Sequence, residues 1–285
     1  MFAVTGTTGK VGGLVARTLL AQGKKVRAVV RSAEKGDPWK TLGCDIAVAD
    51  VLDPSAMSSA FKGTEGVFLM APPNYDPEPG YPQTIAAVEA VKQAVGASHP
   101  GKVVFLSTVG AHVSEPNLLN NSKMFEEMLR MLPVPVGFVR AAWFMENAAW
   151  DVDAARNGLI QSFLQPLDHP LPMIATPDIA QVAVELLEQS WDGLRIVELE
   201  GPKRYSANDI AAGLSAALGT HVKIEAVPRE QWETLFRSHG MNNPMPRIRM
   251  LDGFNEGWID FEGGKTERRK GTTTLDEVLQ SLVKA

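Results

Sequence analysis

Val4-Thr5-Gly6-Thr7-Thr8-Gly9-Lys10-Val11-Gly12 stands between a short apolar run, Phe2 to Thr5, and a helical pattern from about Lys10 to Gln22. A strand that passes through a glycine-rich turn into a helix makes this glycine pattern a dinucleotide-binding expectation. Gly6 permits the tight turn, Gly9 lets backbone approach a pyrophosphate with no Cβ in the way, and Gly12 lets helix pack on strand. Thr8, Lys10 and Val11 belong to the same cradle, where the helix N-terminus offers N–H donors and the positive end of its dipole. The plainer alternative is a generic glycine-rich strand-to-helix turn. Val11, Leu14, Val15 and Leu19 fall at helical spacing and give this helix a buried stripe.

Outward from the loop, short apolar runs alternate with helical patterns. Strands are expected at Val26 to Val30, Asp45 to Val48, Gly66 to Met70, Lys102 to Leu106 and Val136 to Val139, with helices near Gln83 to Val95 and Lys123 to Met131. Strands separated by helices imply a parallel sheet. After Asn147 the rhythm changes, because Gly158 to Met173 carries glycine and prolines at irregular spacing. A helix over Ile179 to Gln189, capped by Asp178, and a strand over Arg195 to Leu199 return the chain to the first sheet. Two further helices are expected. Ser206 caps one that ends at Gly219, and Thr274 with Glu277 forms a capping box on the other. Asn242 to Arg249, with two prolines, is expected as a mobile loop. The fold class is therefore α/β, a Rossmann-type doubly wound parallel sheet with a smaller α+β C-terminal domain. The dinucleotide-binding domain spans 1–150 and is rejoined by 179–200; the substrate or lid domain spans 151–285.

Composition sets the outer bounds. The 285 residues are 45% hydrophobic and 21% charged, an ordinary globular balance that excludes disorder, collagen and coiled coil. With 28 Lys+Arg against 33 Asp+Glu, a net charge of -5 argues against a nucleic-acid partner. The single Cys44 rules out an intramolecular disulfide and suggests a reducing compartment. No run is long enough to make a membrane helix, and the opening residues leave no room for a signal peptide, so a cytoplasmic protein is expected. His99, His112, His169, His221 and His239 show no metal-ligand spacing, so no metal is assigned.

Several residues near expected strand ends are candidates for the site. At the end of the second strand stands Val30-Arg31-Ser32, with no carboxylate before Glu34. An acid there would grip a ribose 2'-hydroxyl, whereas Arg31, helped by Ser32 and Lys35, would pair with a 2'-phosphate. NADP(H) is therefore expected over NAD(H), with Arg31 as a merely solvated charge the alternative. Asp50 either bounds the adenine pocket or caps the turn at Leu52 to Pro54. Met70, Ala71 and Pro72 follow the fourth strand and should run beside the cofactor. Ser107 and Thr108 end a buried strand at the sheet edge where ligands bind, so one of these hydroxyls is functional or else caps a turn. Phe144 is expected near the nicotinamide as an apolar floor, and Asn147 as a donor to substrate or to loop backbone.

Val103 to Ala111, Lys123 with Glu126, and Val139-Arg140-Ala141-Ala142-Trp143-Phe144-Met145-Glu146-Asn147 complete a recognisable pattern with the opening loop. Met173 to Ala180 and Leu199 to Pro202 extend it. Together these stretches resemble the NmrA-like group of atypical short-chain dehydrogenases, over most of the chain. The resemblance implies a cleft that takes NADP and a substrate between a Rossmann-type domain and a small C-terminal one. Members include quinone reductases, dye and azo reductases, and non-enzymatic sensors of the cofactor's redox state. Classical members of the wider superfamily use a Tyr-x-x-x-Lys pair. Here Tyr75, Tyr81 and Tyr205 each lack Lys four residues on, so chemistry through a tyrosinate is not expected. The resemblance places Lys123 in the cleft, on the nicotinamide ribose or on a substrate oxygen. The alternative is a surface helix lysine paired with Glu126 or Glu127.

Two functions follow. One is NADPH-dependent hydride transfer to a conjugated apolar acceptor such as a quinone, dye or enone-like compound, with Lys123, Thr108 and Asn147 as the catalytic candidates. The other is a cofactor-sensing regulator whose Asn242 to Arg249 loop changes on loading. The acceptor's identity and the oligomeric state, a homodimer among the possibilities, are left open by the sequence.

Overall fold

The computed structural model describes residues 1–284. Its twelve strands are β1 (Phe2–Val4), β2 (Val26–Val30), β3 (Asp45–Val48), β4 (Gly66–Met70), β5 (Val103–Thr108), β6 (Val136–Ala141), β7 (Trp143–Phe144), β8 (Leu159–Ser162), β9 (Met173–Ile174), β10 (Leu194–Glu200), β11 (Lys223–Ala226) and β12 (Glu267–Lys270). The helices are α1 (Lys10–Ala21), α2 (Ala33–Thr41), α3 (Pro54–Phe61), α4 (Pro82–Ser98), α5 (Asn120–Leu129), α6 (Val152–Arg156), α7 (Thr176–Glu188), α8 (Ala207–Leu218), α9 (Trp232–Ser238), α10 (Met245–Glu256) and α11 (Leu275–Lys284). Eight strands form one sheet in the order β12-β10-β6-β5-β4-β1-β2-β3. Every pair in it is parallel.

Alternation along the strands builds two cores, one on each face. Val4, Phe68, Val104, Val139 and Val197 point to the face covered by α1 and α7, where Val15, Leu19, Ile179 and Leu186 meet them. Ala3, Leu69, Phe105 and Phe138 point to the other face, against Phe61 of α3, Val91 of α4 and Phe125 of α5. Strands buried on both faces carry continuous apolar runs, which is why β1, β4, β5 and β6 are legible as runs rather than as alternations. A third core holds α6 and the helices α8 to α11 around Trp232, Leu214 and Leu279. No helix among the described residues is long and apolar enough to cross a membrane.

The sequence reading ends the sheet at Leu199, whereas β12 adds an eighth strand beside β10. Ala33–Thr41 and Pro54–Phe61 are helices that the sequence reading also leaves out. Two of its expectations are corrected. Asn242 to Arg249 is not a loop throughout: α10 begins at Met245, with prolines at 244 and 246 in positions where a helix needs no N–H from them. Asn242 and Asn243 are fastened by their backbone N–H groups to the Asp76 carboxylate at 2.8 and 2.7 Å. Asp178 does not cap α7, which starts at Thr176. Its carboxylate instead accepts from the Thr273 N–H at 3.0 Å and the Thr273 hydroxyl at 3.1 Å, tying the C-terminal segment to this helix. The capping boxes at Ser206 with Asp209 and at Thr274 with Glu277 are present.

Candidate functional site

The strand order reverses between β1 and β4, and ligands of open α/β sheets bind in the crevice beyond the strand ends at such a switch point. Thr5 stitches the two strands together there. Its N–H and hydroxyl both donate to the Phe68 carbonyl, at 3.0 and 3.1 Å, and the Met70 N–H donates to its Oγ1 at 3.0 Å. The chain then turns at Gly6 in the left-handed region, φ 66°. A Cβ there would also lie 2.7 Å from the Met70 sulfur. Gly12 passes so close to the turn that a Cβ would overlap the Gly6 carbonyl and sit 2.6 Å from the Thr5 carbonyl oxygen. Gly9 differs: a Cβ on it would meet only the Gly6 oxygen, at 3.3 Å. Gly9 is the N-cap of α1 and no side chain caps that helix end.

This loop fits the pyrophosphate of a dinucleotide. Its helix end is unprotected, Gly9 and Thr8 are exposed, and the buried Thr7 hydroxyl has no partner. One neighbour escapes the sequence reading. Gly13 carries close packing too, since a Cβ on it would lie 2.9 Å from the Thr7 carbonyl. Lys10 reaches across to the Glu146 carbonyl at 3.3 Å, and Val11 is buried beneath the loop.

Arg31 follows β2 and is exposed, with no ion-pair partner among the described residues; Ser32 is the N-cap of α2 and its hydroxyl makes no cap bond. Asp50 accepts the Leu52 N–H at 2.9 Å, the turn-capping role, and is exposed. Met70 packs under Gly6, while Ala71 is half-buried and Pro72 exposed.

Register explains the most heavily charged part of the site. Ser107 of β5 pairs with Arg140 of β6, Arg140 with Glu198 of β10, and Glu198 with Arg268 of β12, so four polar residues form one row across the sheet. Above the row, Glu126 of α5 accepts the Ser107 hydroxyl at 2.6 Å and takes the Arg140 guanidinium in two bonds, 2.9 and 2.8 Å. Arg130 adds a third cationic contact at 3.0 Å. Arg140 also donates to Glu262 at 2.5 Å, and Glu198 accepts from the Glu262 N–H at 2.7 Å and the Thr266 hydroxyl at 2.8 Å. Burial works against the Arg140 charge. Its bonds to Glu126 and Glu262 outweigh that and raise its pKa above the ordinary arginine value.

The two hydroxyls at the end of β5 are thus separated. Ser107 is committed to Glu126, whereas Thr108, one residue on, is half-buried and its hydroxyl has no protein partner among the described residues. Lys123 makes no pair with Glu126 or Glu127; its Nζ donates to the Val113 carbonyl at 3.2 Å. Phe144 is half-buried on β7 beside the first core. Asn147 lies half-buried in the short turn after it, its side chain without a protein partner among the described residues. Glu146 anchors α7: its Oε1 accepts from the Thr176 N–H at 2.8 Å and hydroxyl at 2.5 Å, while Oε2 is buried without a partner. The buried Nδ1 of His112 likewise has none. Two of the three tyrosines are committed to backbone groups. Tyr81 donates to the Asn117 carbonyl at 2.9 Å, with burial pushing its phenol upward, and the Tyr205 oxygen accepts the Leu275 N–H at 3.3 Å.

A sequence model of the NmrA-like family matches residues 1–277. Among curated proteins, the chain is similar to an NAD(P)H azoreductase of Xenophilus azovorans, 28% identical over 85% of this chain and 82% of that one. It is also similar to quinone oxidoreductase 2 of Escherichia coli, 24% identical over 99% of this chain and 98% of the relative. The crystal structure of an NADPH-dependent quinone oxidoreductase from Escherichia coli complexed with NADPH superposes with a TM-score of 0.81, at 23% identity and over 99% of each chain. That of a Citrobacter sp. triphenylmethane reductase complexed with NADP(H) gives 0.79, at 21% identity and over 99% of each.

Proposed function

This chain belongs to the NmrA-like family, and from that premise we propose that it is an NADPH-dependent reductase of a conjugated, apolar acceptor such as a quinone, a dye or an enone-like compound. The observation that carries the reading is the uncapped N-terminus of α1 behind Gly6 and Gly9, set at the reversal of the strand order. Relatives named as an azoreductase and a quinone oxidoreductase support it.

In this reading the N–H groups at the start of α1 hold the pyrophosphate, and Arg31 with Ser32 meets the 2'-phosphate. Bound NADPH supplies the hydride. Phe144 and Ala71 give the reacting end an apolar wall, which excludes water and orients the acceptor. Thr108 and Asn147 bring free polar groups to the same edge of the sheet, and Lys123, held at the Val113 carbonyl, is the cation that polarises a substrate oxygen or binds the ribose. Tyr81 is tied to a carbonyl and Tyr205 to a backbone N–H, so neither is assigned the proton. A quinol takes its proton from water, and such an acceptor needs no tyrosine.

The test is steady-state NADPH oxidation against a panel of quinones and dyes, with calorimetric titration of NADPH on the same preparation. Turnover above the rate without enzyme is expected for at least one acceptor. Tight NADPH binding with no turnover across the panel would replace this reading by that of a cofactor sensor, and absence of binding would remove both.

A further inference from the structure

Arg247 is the one arginine among the described residues that is neither exposed nor ion-paired. It stands on the first turn of α10, half-buried, with its guanidinium over the Phe236 ring at 4.8 Å from the centroid. Phe236 is itself buried, so it presents a fixed apolar face. Stacking uses the face of the guanidinium and leaves its in-plane N–H donors free.

The acids on its own helix and against the stretch before it are committed to other partners. Asp76, on the segment after β4, accepts from the backbone N–H groups of Asn242 and Asn243 and from the Asn242 side chain at 3.1 Å. Asp252, one helical stretch further along α10, takes Arg229 in two bonds of 2.5 and 2.8 Å, with Arg249 at 3.7 Å. Burial holds the Arg247 pKa below the ordinary arginine value, and the Tyr75 phenol offsets only part of this. A half-buried cation without a counter-charge is unfavourable for the fold taken alone, and an apolar side chain of similar reach would cover Phe236 without that cost.

Its position gives the charge a use. The Leu118 N–H donates to the carbonyl of Pro246, the residue before Arg247, at 2.9 Å. The segment that Leu118 ends is held at Val113 by Lys123. Arg247 therefore sits on the C-terminal lobe where that lobe is fastened to the segment after β5, with Tyr75 of the segment after β4 beside it. Both segments leave the carboxyl ends of central strands.

We propose that Arg247 is the anion-recognising residue of the acceptor site: the acceptor carries, beside its conjugated body, a carboxylate, sulfonate or phosphate that the Arg247 guanidinium receives through its free N–H donors. The inference takes the identity of the ligand as hydride acceptor from the reductase reading. The anion site itself stands on the geometry of Arg247.

A matched pair of acceptors separates the two. Initial rates with naphthoquinone and with a naphthoquinone sulfonate are compared in the native protein, Arg247→Met and Arg247→Lys, alongside titration of a naphthalene sulfonate followed by tryptophan fluorescence in the NADP-loaded protein. A charge-assisted bond of this kind predicts that the preference in kcat/KM for the sulfonated quinone falls about 10- to 100-fold in Arg247→Met, through KM, and is partly retained in Arg247→Lys. Equal ratios in native protein and Arg247→Met would overturn the proposal and leave the reductase reading standing. If neither these quinones nor any acceptor of the quinone and dye panel turns over but the naphthalene sulfonate binds the native protein and not Arg247→Met, the anion site stands and the reductase reading falls. If the titrations also coincide, both fall.

Discussion

The Arg140 guanidinium meets the Glu126 carboxylate edge to edge, Nε to Oε1 at 2.9 Å and Nη2 to Oε2 at 2.8 Å, with both residues only 2% exposed. The pair joins the middle of the sheet to α5, and Lys123 lies one turn before Glu126 on that helix. Removing the cation takes the main counter-charge from two buried carboxylates, leaving Glu126 with Arg130 and the Ser107 hydroxyl, and Glu198 with the Glu262 N–H, the Thr266 hydroxyl and Arg268 at 3.8 Å. Loss of one partner from a buried pair costs about 3–5 kcal/mol, so Arg140→Met is expected to lower stability by that amount in urea denaturation. Glu126→Gln keeps an acceptor for Ser107 and should lose about 1–3 kcal/mol. An Arg140→Met midpoint equal to the native one would show that the network contributes nothing to stability.

The glycines of the opening loop separate packing from ligand approach. A Cβ on Gly12 collides with backbone of Gly6 and Thr5, which cannot rotate aside, so Gly12→Ala is expected to destabilise by about 2–3 kcal/mol. A Cβ on Gly9 meets only one oxygen at 3.3 Å but projects where the pyrophosphate is expected. Gly9→Ala should therefore keep its melting temperature and lose NADPH affinity by about tenfold or more. Thermal melts and calorimetry on both variants decide the matter. Unchanged NADPH binding in Gly9→Ala would mean that the loop is structural only.

What was legible follows from where the signal lies. β1, β4, β5 and β6 are buried on both faces and announce themselves as apolar runs, and α1 as an apolar stripe behind the glycines. β12, Glu-Arg-Arg-Lys, has no apolar residue to reveal it. It is an edge strand held by backbone pairing to β10 and by ion pairs of Glu267 with Arg195 and Arg269 with Glu185. α2 buries only Gly36 and Trp39 and carries Pro38, so no periodicity marks it. The charged row is invisible for another reason. Glu126 three residues after Lys123 suggests a surface pair, and only the strand register brings Arg140 beneath it. Arg247 lay inside a proline-bearing stretch that resembles a loop, and its lack of a counter-charge is a property of three-dimensional neighbours.

Arg31 offers a clean test of cofactor choice because it supports nothing else. It is exposed and unpaired among the described residues, so Arg31→Ala should leave stability within about 0.5 kcal/mol. Loss of a charge-assisted contact to a 2'-phosphate is expected to weaken NADPH about tenfold, or 1.4 kcal/mol, with NADH unaffected. Parallel calorimetric titrations measure both. Equal losses for the two cofactors would assign Arg31 to general electrostatics, and no loss for either would leave it a solvated charge.

Asp151 and Glu262 should pull stability in opposite directions with pH. Burial raises the Asp151 pKa from 3.8 to about 6, so the folded chain holds this proton more tightly than the unfolded one. Its favourable contribution is complete below pH 3.8 and is lost as pH rises through about 6. Glu262 is held below its ordinary 4.5 chiefly by its hydrogen bond from Arg140. Its contribution is present above pH 4.5 and disappears as pH falls through the lower folded value. Asp151→Asn removes the first slope alone. It is expected to stabilise the protein by about 3 kcal/mol at neutral pH, to match the native protein near pH 4, and to leave the acid limb intact. Urea midpoints of both proteins across this range provide the measurement. A constant difference between them at every pH would mean that the substitution acts through packing and that Asp151 is ionised in the fold as it is in the unfolded chain.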